Sequence, residues 1–129
     1  MPRALDGITV FDISVGEACA LATMMLSDNG ARVIRVSNPE DERRRNSQTY
    51  RMLDRGKESV HLDLNQALKE FSKTGTTADE PVKASLLNFH KLIMKADILI
   101  DSYSPSSPFQ KLLDYESLQR INPRLVRCS

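Results

Sequence analysis

A chain of 129 residues, 40% apolar and 27% charged, has the length of one domain and enough apolar side chains to build a core. Its formal net charge of +1 gives no general attraction for polyanions or an anionic membrane surface, so neither nucleic acid nor membrane is an expected partner. Cys19 and Cys128 have neither metal-ligand spacing nor the makings of a disulfide framework, and no apolar run approaches the roughly 20 residues of a membrane span. No sustained apolar signal segment follows Met1-Pro2-Arg3, and no peroxisomal tripeptide ends the chain. The default expectation is a cytoplasmic protein, with organelle import through another signal left open.

Ile8-Thr9-Val10-Phe11-Asp12, behind the turn residues Asp6-Gly7, predicts a strand. Ser14 and Glu17 have the spacing of a capping box, in which a hydroxyl and a carboxylate satisfy orphan N–H groups reciprocally. They open a predicted helix from Val15 to Leu26 that is apolar nearly all round. Such a helix is expected inside the protein, packed on a sheet, with Cys19 as a small core residue. Asn29-Gly30 supplies a left-handed C-cap, and Ala31 to Val36 is the return strand. Strand, helix and strand make a parallel βαβ unit, expected to be right-handed.

Ser37 to Asn46 is a charged connection containing Glu40-Asp41-Glu42-Arg43-Arg44-Arg45. It reads as a solvated loop or short helical turn. The sharper alternative is that some of these arginines face a phosphate-bearing ligand at the strand's carboxyl end, where a planar guanidinium binds phosphate oxygens bidentately. Tyr50 to Leu53 leads into Asp54-Arg55-Gly56-Lys57, and Ser59 to Leu64 alternates like a strand. Arg55 and Lys57, flanking a glycine, either meet a pyrophosphate or form a plain basic turn.

Asn65 to Lys73 predicts a short amphipathic helix, and residues 74–80 a flexible insertion. Asp79 is placed to cap a helix with Pro81 in its first turn. The core stripe of that helix is Val82, Leu86, Phe89 and Ile93, with Lys83, Asn88, Lys91 and Lys95 mostly turned away. His90 falls near its polar side and is expected in solvent; His61 lies in a strand without a sequence partner. Ala96 to Tyr103 is a continuous apolar strand of the kind found in buried parallel sheets. Ser104 to Pro108 is a loop at its carboxyl end, where open α/β sheets bind ligands. Phe109 to Leu113 and Tyr115 to Ile121 are short helical pieces, and Asn122 to Val126 opens a last strand.

Several of these stretches, in order, resemble the family III CoA-transferases (CaiB/BaiF type), with a lean toward the α-methylacyl-CoA racemase branch. They are Leu5-Asp6-Gly7-Ile8, Asn29-Gly30-Ala31 with Val33-Ile34-Arg35-Val36, Arg55-Gly56-Lys57 with Leu62-Asp63-Leu64, Ala96-Asp97-Ile98-Leu99-Ile100-Asp101, and Asn122-Pro123-Arg124-Leu125-Val126. The resemblance implies a Rossmann-like α/β fold, an open and mainly parallel sheet with helices on both faces, binding CoA thioesters at the carboxyl ends of its strands. Coenzyme A or acyl-CoA would be substrate, with no tightly bound cofactor. In the family's transferases an aspartate attacks the thioester; in its racemases an acid/base pair moves the proton α to the thioester carbonyl, which the thioester acidifies.

The resemblance places a partial nucleotide site at Arg55, Lys57 and Arg44, with Val15 and Ala18 at the pocket floor. The family's catalytic aspartate lies beyond the matched portion, so no catalytic residue is assigned, and residues 1–129 are expected to form a single incomplete domain, inactive alone. An uncovered sheet face then implies self-association or a partner chain. Departures from the family pattern occur at Ala18-Cys19-Ala20, Ser37-Asn38, Asp54 and Ser104-Pro105-Ser106, and residues 65–95 are longer than usual. These departures support a second reading, a degenerate non-catalytic binding or interaction module. A phosphorylatable receiver, suggested by Asp12 and Asp54, fits poorly because no buried strand precedes Asp54. No G-x-G-x-x-G follows the first strand, which disfavours a nicotinamide site.

Overall fold

The computed structural model describes residues 1–37, 46–66, 68–69 and 80–129. Its elements are β1 (Thr9–Asp12), α1 (Glu17–Asp28), β2 (Arg32–Ser37), α2 (Gln48–Leu53), β3 (Glu58–His61), α3 (Glu80–Lys95), β4 (Ile98–Ile100), a 3₁₀ turn (Pro108–Lys111), α4 (Tyr115–Ile121) and β5 (Val126–Cys128). The strands form one sheet in the order β3-β2-β1-β4-β5, and every pairing is parallel. The Rossmann-like α/β architecture expected from the sequence is therefore the observed one.

Strand side chains alternate between faces with a period of two, and this divides the core. Val10, Val33 and Ile100 face one way and pack with Ala31, Cys19 and Leu26. Phe11, Ile34, Val36 and Leu99 face the other way, onto Phe89 and Ile93 of α3 and Leu118 of α4. The chain steps from β1 to β2 to β3 in one direction, then returns to start again at β4. With crossovers of one hand, that reversal puts α1 and the α3–α4 pair on opposite faces.

Most of the sequence landmarks have local folding tasks. Gly30 has φ +107°, the left-handed conformation after the α1 C-cap. Its N–H donates to Ser27 O and that of Ala31 to Leu26 O, both at 3.0 Å, a Schellman closure of the helix end. In Leu62-Asp63-Leu64 the leucines are core residues, while Asp63 Oδ1 accepts from Gln66 N at 3.0 Å. Asp97 Oδ2 accepts from Thr9 N at 2.9 Å and so ties β4 to the start of β1. Asn122 Nδ2 donates to Ile93 O at 2.9 Å and Ala96 O at 2.7 Å, closing the C-terminus of α3.

The structure also corrects several expectations. The capping box does not form: α1 starts at Glu17 with Gly16 as N-cap and no side-chain cap, because the Ser14 hydroxyl donates instead to Asp12 Oδ1 at 2.6 Å. Helix α1 is not buried all round. Only one side meets the sheet and α2, burying Ala20, Thr23, Met24 and Ser27, while Leu21 and Met25 stay 46% and 57% exposed. The predicted strands over 59–64 and 96–103 shrink to the residues that find ladder partners, and Leu64 is already helical. Phe89 and Ile93 are buried as the stripe requires, Lys83, Asn88, Lys91 and Lys95 are exposed, and so is His90. Arg44, Asp79 and most of the predicted insertion over 74–80 lie outside the described residues, Glu80 being the first residue of α3.

Candidate functional site

Neighbouring strands β1 and β4 send their chains away in opposite directions, which makes their carboxyl ends the switch point where open α/β sheets leave a crevice. Two loops meet there, residues 13–16 after β1 and residues 101–107 after β4. The Ser102 hydroxyl joins them: its Oγ accepts from Val15 N and donates to Val15 O, both at 2.8 Å. Gly16, at φ +109° with open space where a side chain would be, turns the chain into α1. A helix N-terminus leaves N–H groups without intrahelical acceptors, and here, among the described residues, no side chain caps them. Val15 is half-buried in this loop and Ala18 is exposed on the first turn.

The other wall of the crevice is braced from below. Asp101 is fully buried; its Oδ1 accepts from Tyr103 N at 3.2 Å and its Oδ2 from Arg127 Nε at 2.7 Å. Arg127 also donates to Leu113 O and Gln110 Oε1, and Tyr103 stacks on Phe109 with ring centroids 4.1 Å apart. Within the loop, Ser104 Oγ and Ser106 Oγ share a hydrogen bond of 2.9 Å.

Beneath α1 lies a buried group of charges. Asp12, at the end of β1, is wholly inaccessible. Its Oδ1 accepts from Ser14 N and Oγ, and its Oδ2 from Thr23 Oγ1 at 2.8 Å. Arg35 lies beside it in register on β2 and donates from Nη1 to Asp54 Oδ2 at 3.0 Å. Lys57, its side chain only 2% exposed, donates from Nζ to Ala20 O at 3.0 Å and to Asp54 Oδ1 at 3.3 Å. Burial pulls the Lys57 ammonium below its ordinary pKa, while the fields of Asp12 and Asp54 and the Asp54 hydrogen bond oppose that fall.

Arg55 points elsewhere. It grips Asp28, at the C-terminal end of α1, through Nη2 at 2.6 Å and Nε at 3.3 Å. This hydrogen bond is the main reason the Asp28 carboxyl lies below its ordinary range and the guanidinium above its own. A polar cleft of about 510 Å³ beside this pair is lined by Arg32, Glu58, Gly30 and Gly56 among others, and lies toward the amino ends of β2 and β3. Between Arg55 and Lys57, Gly56 has φ +74°, and a Cβ there would come within 2.7 Å of Ser27 Oγ. The glycine thus brings backbone close to α1, where Ser27 Oγ donates to Gly56 O at 3.1 Å.

Of the residues singled out from sequence, Val15 and Ala18 reach the switch point, Lys57 lies beneath α1, and Arg55 lies at the opposite end of that helix. Arg55 and Lys57 are not brought together. Arg35, Thr23, Ser14 and Ser102 gain roles that pattern alone does not assign. One signal was legible: Arg35 is a charge inside the otherwise apolar run Val33 to Val36, where only a partnered cation is tolerated.

Comparison with known proteins places the fold in a family. The family model described as CoA-transferase family III matches residues 5–129. The succinate–glutarate CoA-transferase of Agrobacterium fabrum is 31% identical over 141 residues, covering 97% of this chain and 31% of that protein. The human α-methylacyl-CoA racemase is 32% identical over 123 residues, covering 95% and 27%. Among solved structures, a CAIB/BAIF family protein from Brucella suis superposes with TM-score 0.77 at 27% identity, over all of this chain and 33% of that one. A hypothetical protein from Mycobacterium tuberculosis gives 0.76 at 28% identity, covering 98% and 33%. The chain therefore spans about a third of the length of these relatives, and by the family match and the shared fold it belongs to CoA-transferase family III.

Proposed function

We propose that the chain supplies the CoA-thioester-binding floor of an enzyme that transfers CoA between acids or epimerises the carbon α to a thioester. The observation that carries this reading is the switch point itself. Two loops locked through Ser102 present the uncapped N-terminus of α1, with Val15 and the small Ala18 against the crevice. Free N–H groups and the positive end of the helix favour an anionic or carbonyl-bearing ligand. In this reading Arg55 joins the phosphates only by exchanging Asp28 for a ligand oxygen, Arg44 is a further cation for them, and Lys57 acts from below. The reacting carboxylate or acid/base pair is assigned to none of these residues, and a further segment or a partner chain would provide it.

Calorimetric titration with CoA and acetyl-CoA, at low and moderate salt, tests the proposal. Salt-sensitive binding that is lost in Ala18→Glu is the expected result, since an acid in the first turn suits the helix but repels a phosphorylated ligand. The second reading, a non-catalytic module of the same fold, draws on the hydroxyl-closed loop at Ser104 and Ser106 and on the buried, uncharged Ser37. Absence of binding by the folded wild-type chain would favour it. Sedimentation analysis tests the partner: a monomer at all concentrations would remove self-association.

A further inference from the structure

We propose that Lys57 and Asp12 are positioning residues that set the β1–α1 loop and the first turns of α1 at the switch point. The inference rests on the reading of that loop as the ligand site and adds to it how the site is held. Lys57 has almost no exposed side chain and reaches no solvent-facing crevice. Its ammonium is engaged by Ala20 O, in the second turn of α1, and by Asp54, and it lies within the field of Asp12. Asp12 in turn holds the loop at two points through Ser14 N and Oγ, and holds α1 at a third through Thr23 Oγ1.

Ala20 O, which accepts from both Lys57 Nζ and Thr23 Oγ1, links Lys57 to Asp12 through Thr23, so a continuous set of partners runs from the turn before β3 to Ser14, the residue preceding Val15. Among the described residues the charges facing this group are Asp12 from β1, Arg35 from β2 and Asp54 from the C-cap of α2. Removing Lys57 takes a buried cation away from Asp54 and from the neighbourhood of Asp12, rather than merely shortening a side chain. The effect on ligand is indirect, and this separates Lys57 from a phosphate ligand. Loss of a direct cation lowers the salt sensitivity of binding, whereas loss of a positioning residue weakens binding and leaves that sensitivity unchanged.

The test compares wild type, Lys57→Met and Ser14→Ala by amide hydrogen exchange and by CoA titration at two salt concentrations. Ser14→Ala leaves the buried charges in place and cuts one link between Asp12 and the loop, so it decides the matter if Lys57→Met fails to fold. Expected is exchange on the order of tenfold faster over residues 13–24 in both variants, with peptides over α4 unchanged. CoA affinity should fall with no change in salt dependence. Unchanged exchange in the loop, or an affinity loss accompanied by reduced salt dependence in Lys57→Met, would overturn the proposal. If wild type binds no CoA, the functional reading fails, while the exchange comparison still decides whether Lys57 and Asp12 hold the loop.

Discussion

Gly56 offers a direct test of what the Arg55-Gly56-Lys57 turn is for. Its φ of +74° costs an L-residue roughly 1–2 kcal/mol, and the Cβ of Gly56→Ala would lie 2.7 Å from Ser27 Oγ. Ser27 must then rotate away, losing the 3.1 Å bond to Gly56 O, a further loss of about 1 kcal/mol. Gly56→Ala alone is thus expected to destabilise by about 2–3 kcal/mol. Ser27→Ala alone should cost about 1 kcal/mol. In the double variant the obstructing oxygen is gone, and Ser27 Cβ lies at 3.9 Å, so only the backbone strain and the already missing bond remain. Its cost should match that of Gly56→Ala, leaving the singles non-additive by about 1 kcal/mol. Urea unfolding of the four proteins measures this cycle. Simple additivity, or a neutral Gly56→Ala, would refute the claim that the glycine serves contact with α1.

Asp54→Ala should destabilise by about 3 kcal/mol, because it leaves Arg35 and Lys57 buried with one carboxylate fewer; a loss below 1 kcal/mol by the same assay would show that the cations find other partners. Asn122→Ala removes both side-chain bonds to the last carbonyls of α3. It should cost about 2 kcal/mol and speed hydrogen exchange in that last turn first. The pH dependence follows from Lys57, whose folded pKa lies below 10.5 because of burial. The unfolded chain holds this proton to higher pH than the native one, so stability from this group rises with pH as it approaches 10.5. The stability difference between wild type and Lys57→Met should accordingly shift in favour of wild type across that alkaline window, and a flat difference would contradict the lowered pKa.

The sheet was legible because its signals are local. Continuous apolar runs bounded by turns mark Val33–Val36 and Ile98–Ile100 as buried strands, and Asn29-Gly30 marks a helix end by backbone conformation alone. Side-chain allegiance was not local. Ser14 and Glu17 have the spacing of a capping box, yet the buried carboxylate of Asp12 is a stronger claimant on the Ser14 hydroxyl than a partly solvated helix end. The apolar circumference of α1 likewise predicts burial all round, whereas only the sides touching the sheet and α2 become covered among the described residues.

The same distinction bears on how an anionic ligand would be held. From sequence, Arg55, Lys57 and Arg44 are candidate phosphate contacts; Arg44 lies outside the described residues, and in the structure Arg55 and Lys57, like Arg32 and Arg35 of β2, have carboxylate partners. A phosphate recruiting any of them must displace Glu58, Asp54 or Asp28, and for the buried Arg35 and Lys57 that would break the ion pairs that both make with Asp54. Among the described residues, no side chain holds the backbone N–H groups at the start of α1 in this way. Their positive potential is fixed by the fold rather than shared with a counter-ion. An anion at the switch point therefore gains most from the helix terminus, and the solvent-exposed pairs Arg32–Glu58 and Arg55–Asp28 change partners at less cost than the buried Arg35 and Lys57.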